Sequence, residues 1–297
     1  MKHELPGAQF RAVIPSLAGS LDRLAELTQA LASAGADPLV VPTGASVQRA
    51  LHGSRVPFIE IKANPGFSAT IAHGAVGEWD WLLVVNDDVT VDAVRLGAAL
   101  ASLKEYDRDT MCLAFLDPVE PKPVPTIPDA LLGLSLLGPV LARLGLTRET
   151  RRTKTSDTFR PFSFVAISRR LWEELGGLDQ EFIYTFEDAD FSRRAHASGA
   201  TLLFPDDTGV SHRRYGTSTS RIRAVLPCSA VSTATYLQTL GMRPGTARAA
   251  CLAALAVRTP LVLVAGLPKR EHLAGITAAG RAFVFRRRPN LPDYAAN

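Results

Sequence analysis

Acidic residues are absent from a long part of this chain. Of its 297 residues, none between Asp207 and Glu271 is Asp or Glu. Residues 208–297 carry 13 Lys and Arg against 2 acids, a balance of +11, whereas residues 1–207 carry 20 against 27, a balance of −7. The overall net charge of +4 conceals this asymmetry. It predicts contact between the basic C-terminal part and an anionic surface or a diphosphate group.

Aromatic residues are sparse as well, at 7% of the chain. A protein that binds single-stranded nucleic acid needs aromatic side chains within a basic groove, and no such stretch is present. The sequence also lacks a helix-turn-helix or zinc-finger pattern. Nucleic acid is therefore excluded as the expected partner.

Cysteine is scarce, and the three residues Cys112, Cys228 and Cys251 are far apart and lack metal-ligand spacing. This pattern predicts buried, reduced thiols and a cytoplasmic location. The first residues, MKHELPGAQF, lack the apolar stretch of a signal peptide, so secretion is not expected. The long apolar run Ala249–Leu267 is interrupted by Arg258 and Pro260. This favours an amphipathic segment on the inner face of the cell membrane over a transmembrane span.

Short apolar runs alternate with helical patterns in the remainder of the chain, whose hydrophobic content of 46% is typical of a globular protein. The predicted strands are Phe10–Pro15, Leu39–Val41, Phe58–Ile61, Trp81–Val85, Met111–Phe115, Phe162–Ile167, Thr201–Phe204 and Gly209–His212. Helices are predicted after the first strand and over Val91–Leu103, Arg169–Leu175, Asp188–Ala197 and most of the chain after Arg221. The alternation predicts an α/β fold with a mostly parallel sheet covered on both faces, whose ligand lies beyond the carboxyl ends of the strands.

The middle of the chain departs from this alternation. A proline-rich connector, PVEPKPVPTIP, is followed by Leu131–Leu146, which is apolar on nearly all sides but contains three Gly and one Pro. This segment is too short and too interrupted to span a membrane, and it predicts a buried or interfacial pair of helices.

Two acidic motifs are candidates for chemistry. Asn86-Asp87-Asp88 directly follows the apolar strand WLLVV, where carboxylates would face the ligand cleft and bind Mg²⁺ or Mn²⁺ together with phosphate oxygens. A solvated turn that caps the next helix is the structural alternative. Glu187-Asp188-x-Asp190 places three carboxylates within four residues, one of which would act as a general base. Acidic residues at a helix N-terminus are the alternative here.

His212 ends a predicted strand and is followed by Arg213, Arg214, Tyr215, Gly216, Thr217 and Ser218. A single histidine is usually structural. Beside two arginines and small hydroxyl residues, it is a candidate corner for a diphosphate and a metal ion.

In this order, the motifs resemble those of the family 2 glycosyltransferases, in particular the bacterial rhamnosyl- and galactofuranosyltransferase-like branch. The matching stretches lie within residues 10–218 and are VIPS, NPGFSATIAHG, WLLVVNDDVTVD and the long LWEELGGLDQEFIYTFEDADFSRRAHASGATLLFPDDTGVSHRRYGTS. The resemblance implies a GT-A fold and an inverting, metal-dependent transfer of a sugar from a nucleotide-diphosphate donor such as a UDP- or dTDP-sugar. The implied acceptor is a glycan, a lipid-linked or cell-envelope molecule, or a small molecule.

The family's residue roles transfer onto positions of this sequence that match its motifs. The resemblance implies Asp188 as the catalytic base beside Glu187, and Asp88 and His212 as ligands of Mn²⁺ or Mg²⁺. The implied donor-binding residues are Pro15, Ser16, Gly66, Asn86, Asp87 and Arg193. The sequence departs from the family at Pro42-Thr43-Gly44-Ala45, where an acid usually contacts the nucleobase, and also at Ala72 and Leu17-Ala18.

These features predict a GT-A catalytic domain over residues 1–222 and a basic, apolar helical region over residues 223–297. An anionic membrane surface is a further expected partner of the C-terminal region, while a plain helical cap on the catalytic domain is the alternative. Two other functions stay open: a glycosyltransferase of a small secondary metabolite, and a degenerate nucleotide-sugar-binding protein without catalysis.

Overall fold

The computed structural model describes residues 9–16, 20–61, 64–138, 141, 158–212, 221–264 and 267–291. Its strands are β1 Phe10–Ser16, β2 Ala36–Pro42, β3 Trp81–Val85, β4 Val89–Val91, β5 Cys112–Phe115, β6 Lys122–Pro123, β7 Thr158–Phe159, β8 Phe164–Ser168, β9 Thr201–Leu203 and β10 Val210–His212. Its helices are α1 Leu21–Ser33, α2 Ala45–Leu51, α3 Phe67–Gly74, α4 Ala93–Leu103, α5 Ile127–Ser135, α6 Arg169–Leu175, α7 Glu187–Ala197, α8 Ile222–Thr239, α9 Pro244–Val264 and α10 Lys269–Val284.

Six strands form one central sheet in the order β2-β1-β3-β8-β5-β9. β1 pairs in parallel with β2 and β3, and β5 pairs in parallel with β9. β8 runs antiparallel between β3 and β5. Every residue of β3 and β8 is buried, because helices cover both faces of the sheet. The predicted α/β architecture, with a mostly parallel central sheet and a helical C-terminal region, is confirmed. Its assignment to the GT-A fold stays a prediction.

The predicted strand Phe58–Ile61 is wrong. In this segment only Phe58 forms a bridge, an isolated parallel one to Val40 of β2. The segment follows Pro57, which has no N–H to donate to a neighbouring strand, so the pairing does not extend towards its N-terminal side. The segment therefore adds one isolated bridge to the sheet edge and does not form a strand.

The start of α4 also differs from the prediction. Asp92 caps this helix, and its carboxylate accepts hydrogen bonds from the N–H groups of Val94 and Arg95, each at 3.1 Å. Val91, predicted as helical, belongs to β4 instead. In the predicted segment Leu131–Leu146, α5 ends at Ser135, and residues 139–140 and 142–146 lie outside the described residues.

Four clusters of buried apolar residues are found among the described residues, and the three largest form most of the core. Two of them lie on the opposite faces of the central sheet. The third joins α5 and α7 to the C-terminal helices, with members such as Leu134, Phe182, Ala189 and Tyr236. The predicted boundary at residue 222 coincides with the start of α8. The division of the chain into two domains at that point stays a prediction, because this cluster draws on both sides of it.

α9 contains a window, Pro244–Leu263, that is long and apolar enough to cross a membrane by length and composition. Within that window 33% of the residues are buried in the protein. The three cysteines are buried and carry free thiols, and burial raises the pKa of Cys112 to about 11.

Candidate active site

The carboxyl end of β3 carries Asn86, Asp87 and Asp88 into a turn before β4. β4 pairs antiparallel with β10, in a register that sets His212 opposite Val89. His212 thereby reaches Asp88, and its Nε2 lies 3.0 Å from Asp88 Oδ1. Residues 124 positions apart in the chain form one corner because two short strands pair. Arg213 to Ser218, the other members of the predicted corner, lie outside the described residues.

A second carboxylate lies on the other side of the His212 ring. Asp117 follows β5, and its Oδ2 lies 3.5 Å from His212 Nδ1. The Asp117 side chain is 6% exposed and accepts a hydrogen bond from the Ser163 hydroxyl group. A neutral imidazole has one N–H, so it donates to one of the two carboxylates, and the other ring nitrogen keeps its lone pair. A carboxylate that receives this N–H from a metal-binding histidine orients the ring and fixes its tautomer.

The first strand supplies a further contact to the acidic turn. Ser16, the last residue of β1, is fully buried, and its hydroxyl group donates to Asp87 Oδ2 at 2.9 Å. Thr43 follows β2, and its hydroxyl group donates to the Ser16 carbonyl oxygen at 2.8 Å. The parallel strands β1, β2 and β3 thus end side by side, and their carboxyl ends are linked through side chains.

Another wall of the site is built by the start of α7. Phe186 precedes the helix with a positive φ of 74° and stacks on Tyr236 of α8, with ring centroids 4.5 Å apart. This left-handed residue turns the chain so that Glu187 and Asp188 occupy the first turn of α7. Asp188 Oδ1 accepts a hydrogen bond from the Ala189 N–H at 2.8 Å.

The two neighbouring carboxyl groups have unusual proton affinities. Burial raises the pKa of Glu187 to about 8, and the adjacent Asp188 carboxylate adds to this rise. Burial also raises the pKa of Asp188 to about 6, partly offset by its hydrogen bond from Ala189. Near neutral pH the pair therefore holds more bound proton than two exposed carboxyl groups would. Glu187 Oε2 is buried, and no hydrogen bond to it is found among the described residues.

The third carboxylate of the motif has a structural environment. Asp190 is 2% exposed and binds Arg193 and Arg194 at 2.9 and 2.7 Å. Arg194 also donates to the carbonyl oxygens of Leu175 and Gly177, which connects α7 to the glycine turn after α6. Asp190 thus holds α7 in place. For this residue of the Glu187-Asp188-x-Asp190 motif, the structure agrees with the alternative of a structural acid at a helix N-terminus.

A single cavity of about 440 Å³ brings the two acidic walls together. Its volume falls within the range usual for sites that bind small molecules. Seven of the ten predicted site residues line it: Pro15, Asn86, Asp87, Asp88, Glu187, Asp188 and His212. The convergence of Asp88, His212 and Asp188 on one pocket, which the sequence interpretation requires, is therefore observed.

Ser16, Gly66 and Arg193 are not among the cavity-lining residues. Ser16 touches the site through Asp87. Gly66 directly precedes α3 and has a φ of 96°, and a Cβ atom there would lie 2.5 Å from the Ile183 carbonyl oxygen. Arg193 is paired with Asp190. The roles of these three residues stay predictions, as do the roles of the seven residues that line the cavity.

The structure adds cavity residues that the sequence interpretation missed. Arg221, Val225 and Leu291 line the cavity, although the last two lie beyond the predicted boundary of the catalytic domain. Asp117 was also missed, although it follows a predicted strand at the same sheet edge as Asp88. This position at the end of a strand was the feature of the sequence from which Asp117 could have been predicted as a site residue.

A divalent cation fits the donor set of the Asp88–His212 corner. Among the described residues, no group of three or more His, Cys, Asp or Glu side chains forms a ready metal cage. Mg²⁺ and Mn²⁺ do not require one, since they are commonly held by one or two carboxylates together with water and substrate phosphate oxygens. Asp88 would supply the carboxylate and the His212 imidazole a nitrogen ligand, while Asp117, 3.5 Å from the other ring nitrogen, would orient the ring.

No family model matches the chain, and no curated protein matches it in sequence. Among solved structures, it is similar to residues 1–349 of TarS from S. aureus at 12% identity and a TM-score of 0.45, over 97% of this chain and 89% of that one. It is also similar to the inositol-1-phosphate CTP transferase from T. maritima at 12% identity and a TM-score of 0.42, over 77% of this chain and 98% of that one. Because both TM-scores are below 0.5, a functional interpretation of this chain depends on the residues of its cavity.

Proposed function

We propose that this protein is an inverting, metal-dependent glycosyltransferase that moves a sugar from a nucleotide-diphosphate donor to an acceptor hydroxyl group. The observation that carries the proposal is the single cavity with the Asp88–His212 corner on one wall and the Glu187–Asp188 pair on another. A transfer between two oxygens needs charge stabilisation at the leaving group and a base at the nucleophile. The two walls supply these two functions separately.

The acceptor side depends on Asp188. With its pKa raised to about 6, Asp188 is ionised at neutral pH yet is a stronger base than an exposed aspartate. It takes the proton of the acceptor hydroxyl group as the oxygen attacks the anomeric carbon. The bond from that carbon to the diphosphate oxygen breaks on the opposite face, and its electron pair leaves with the nucleoside diphosphate. Attack opposite to the leaving group inverts the anomeric configuration.

Glu187 assists by staying neutral. Its pKa of about 8 keeps it largely protonated at pH 7, so that it does not add a second charge beside Asp188. A protonated carboxyl group also has an O–H that can donate to a sugar hydroxyl group in the cavity.

The donor side depends on the Asp88–His212 corner. A Mn²⁺ or Mg²⁺ ion held by Asp88 and His212 would neutralise the charge that develops on the departing diphosphate. Asp117 lies 3.5 Å from the other ring nitrogen of His212, Nδ1, and orients the imidazole ring. Arg221 contributes a positive charge to the cavity wall, which suits a diphosphate. Asn86, Pro15 and Thr43 line the end where β1, β2 and β3 terminate, which is where we expect the nucleoside.

A thermal-shift screen tests the donor class and the metal dependence together. UDP- and dTDP-sugars are added with Mn²⁺, with Mg²⁺ or with EDTA, and stabilisation that requires the metal is expected. If no nucleotide-sugar raises the melting temperature under any condition, the proposal fails. If donors bind but no nucleotide is released with glycan, lipid-linked or small-molecule acceptors, the degenerate binding protein is the better description. In its favour, Pro42-Thr43-Gly44-Ala45 contains no acid, whereas the family usually has a nucleobase-contacting acid in this stretch.

Replacement of Asp188 by Asn tests the base assignment. We expect turnover to fall by at least about a hundredfold, because the amide cannot accept the acceptor's proton, while donor binding is retained. Asp22→Asn is the matched control, since Asp22 is also in the first turn of a helix but is exposed on α1, outside the cavity. Turnover in Asp188→Asn close to that of the parent would refute the assignment. The anomeric configuration of the product, measured by NMR, tests inversion.

A further inference from the structure

One face of α9 is exposed and entirely apolar. Between residues 252 and 263, each exposed position is occupied by Ala, Leu, Val or Pro: Leu252, Ala253, Ala256, Val257, Pro260 and Leu263. We call these six residues the apolar face. At 100° per residue they occupy an arc of about 140° and extend for roughly 16 Å along the helix axis. Leu252, Val257 and Leu263 are 37%, 41% and 50% exposed, which is unusual for large apolar side chains grouped on one helix.

The opposite face of α9 is buried and holds the helix onto the protein. Cys251, Leu255 and Val262 are each at most 2% exposed, and the helix packs against α5, α8 and α10. Arg258, which interrupts the apolar run in the sequence, lies on this buried face. Its guanidinium group donates to the Leu134 carbonyl oxygen at 2.8 Å and approaches His272 Nδ1 at 3.4 Å. The charge therefore does not interrupt the apolar face.

Basic residues stand at both ends of the apolar face. Arg243 is exposed before α9, and Arg248 is partly exposed in its second turn. Lys269 and Arg270 are exposed at the start of α10, which follows the other end of α9. No acidic residue occurs in the chain from Arg243 to Arg270. Glu271, in the first turn of α10, is the first acid that follows them.

From this arrangement we infer that α9 docks on an anionic lipid surface, with its axis in the plane of the membrane and its apolar face in the acyl boundary. An apolar helix face bordered by Lys and Arg is the chemistry that such a surface binds. A second copy of this chain fits less well, because two like faces would bring two basic rims together. A transmembrane span fits less well too, because it would require Arg258 and the packed face of α9 to leave the protein.

Vesicle co-sedimentation of the full chain tests this inference without any need for enzymatic activity. Large unilamellar vesicles of phosphatidylcholine alone are compared with vesicles that contain about one third phosphatidylglycerol. We expect partitioning at least tenfold stronger onto the anionic vesicles, and a strong reduction of this binding in high salt.

A double variant on the apolar face separates specific docking from general electrostatic attraction. Leu252→Glu combined with Val257→Glu should weaken binding to the anionic vesicles at least tenfold. Both positions are exposed, so we expect an unchanged melting temperature. Val94→Glu is the matched control, because Val94 is 83% exposed on α4 and its replacement adds a charge outside the apolar face. This control should bind vesicles nearly as well as the parent.

Three outcomes would overturn the inference. In the first, the parent chain binds neither kind of vesicle. In the second, Leu252→Glu/Val257→Glu binds no worse than Val94→Glu, which would place the contact elsewhere. In the third, light scattering shows a dimer that the double variant alone dissociates, which would make the apolar face an interface between copies.

Discussion

Glu187 is an acid in an environment that disfavours its charge. Its Oε2 atom is buried, and the nearest titratable neighbour, Asp188, is an acid as well. The same features that keep Glu187 neutral in the proposed reaction oppose its ionisation in the folded protein. The site therefore links the chemistry of the cavity to the pH dependence of stability.

We expect the free energy of unfolding of the metal-free protein to fall between about pH 4.5 and pH 8. The pKa of Glu187 rises from its ordinary value of 4.5 to about 8 on folding, so in this window the folded state holds a proton that the unfolded state has lost. The slope due to this residue is at most about 1.4 kcal/mol per pH unit. Glu187→Gln should remove it. Urea unfolding at several pH values measures the effect.

The control for this prediction is Glu26→Gln. Glu26 is exposed on α1, so its replacement should leave the pH dependence as in the parent. An identical slope in Glu187→Gln and in the parent would contradict the burial of this carboxyl group.

Asp117 illustrates what residue-level interpretation misses. Its position after a strand is visible in the sequence, yet the same is true of many solvated aspartates. What distinguishes it is contact with His212 and with Ser163, which are 95 and 46 residues away. Such contacts depend on the pairing of β10 with β4 and on the insertion of β8 beside β5, and neither arrangement follows from local pattern.

At the scale of elements, the start of α3 is held by a close backbone approach. Gly66 has a φ of 96°, and its N–H donates to Asn64 Oδ1 at 3.2 Å. The next residue, Phe67, donates its N–H to the Ile183 carbonyl oxygen at 3.3 Å. Since Asn64 and Phe67 line the cavity, this approach sets one of its walls.

We expect Gly66→Ala to destabilise the protein by more than Gly35→Ala. Both glycines have φ near 90°, so alanine at either position incurs a backbone strain of about 1–3 kcal/mol. At Gly66 the new Cβ would also lie 2.5 Å from the Ile183 carbonyl oxygen, whereas at Gly35 nothing lies within 4 Å. Chemical unfolding of the two variants measures the difference. Equal losses would show that the approach of α3 to Ile183 relaxes without cost.

At the scale of the whole molecule, the C-terminal helices are part of the cavity and of the core. Val225 and Leu291 line the cavity, and Tyr236 stacks on Phe186 directly before the acidic pair. The Tyr236 hydroxyl group also donates to the Pro125 carbonyl oxygen at 2.9 Å, on the proline-rich connector. These contacts position the first turn of α7 from outside the region that carries the motifs.

We therefore expect residues 1–222 alone to be poorly soluble and unable to bind a donor. Removal of α8, α9 and α10 would expose Leu134, Phe182 and Ala189 and would open one wall of the cavity. Expression of the fragment, followed by a melting curve and the thermal-shift screen, tests this. A cooperative melt with metal-dependent stabilisation by a nucleotide-sugar would instead establish residues 1–222 as an independent domain.

The sequence by itself determined the strands of the central sheet and the order of the motifs, but it did not predict the short helices α2 and α3. The buried strand Trp81–Val85 and the helix Arg169–Leu175 match the prediction residue for residue, because each is marked by a local pattern: a continuous apolar run, and a serine cap with a following glycine turn. The acidic motifs fall at the ends of such elements, which is why seven of ten predicted residues line one cavity.

Only the tertiary structure decided which polar groups meet. Arg258 appears in the sequence as an interruption of an apolar helix, but packing against α5 turns it inward and leaves an uninterrupted apolar face outside. Asp190 and Asp188 are two residues apart, yet one is neutralised by arginines and the other lines the cavity. Burial and long-range pairing decide these outcomes, and neither is encoded in the spacing of neighbouring residues.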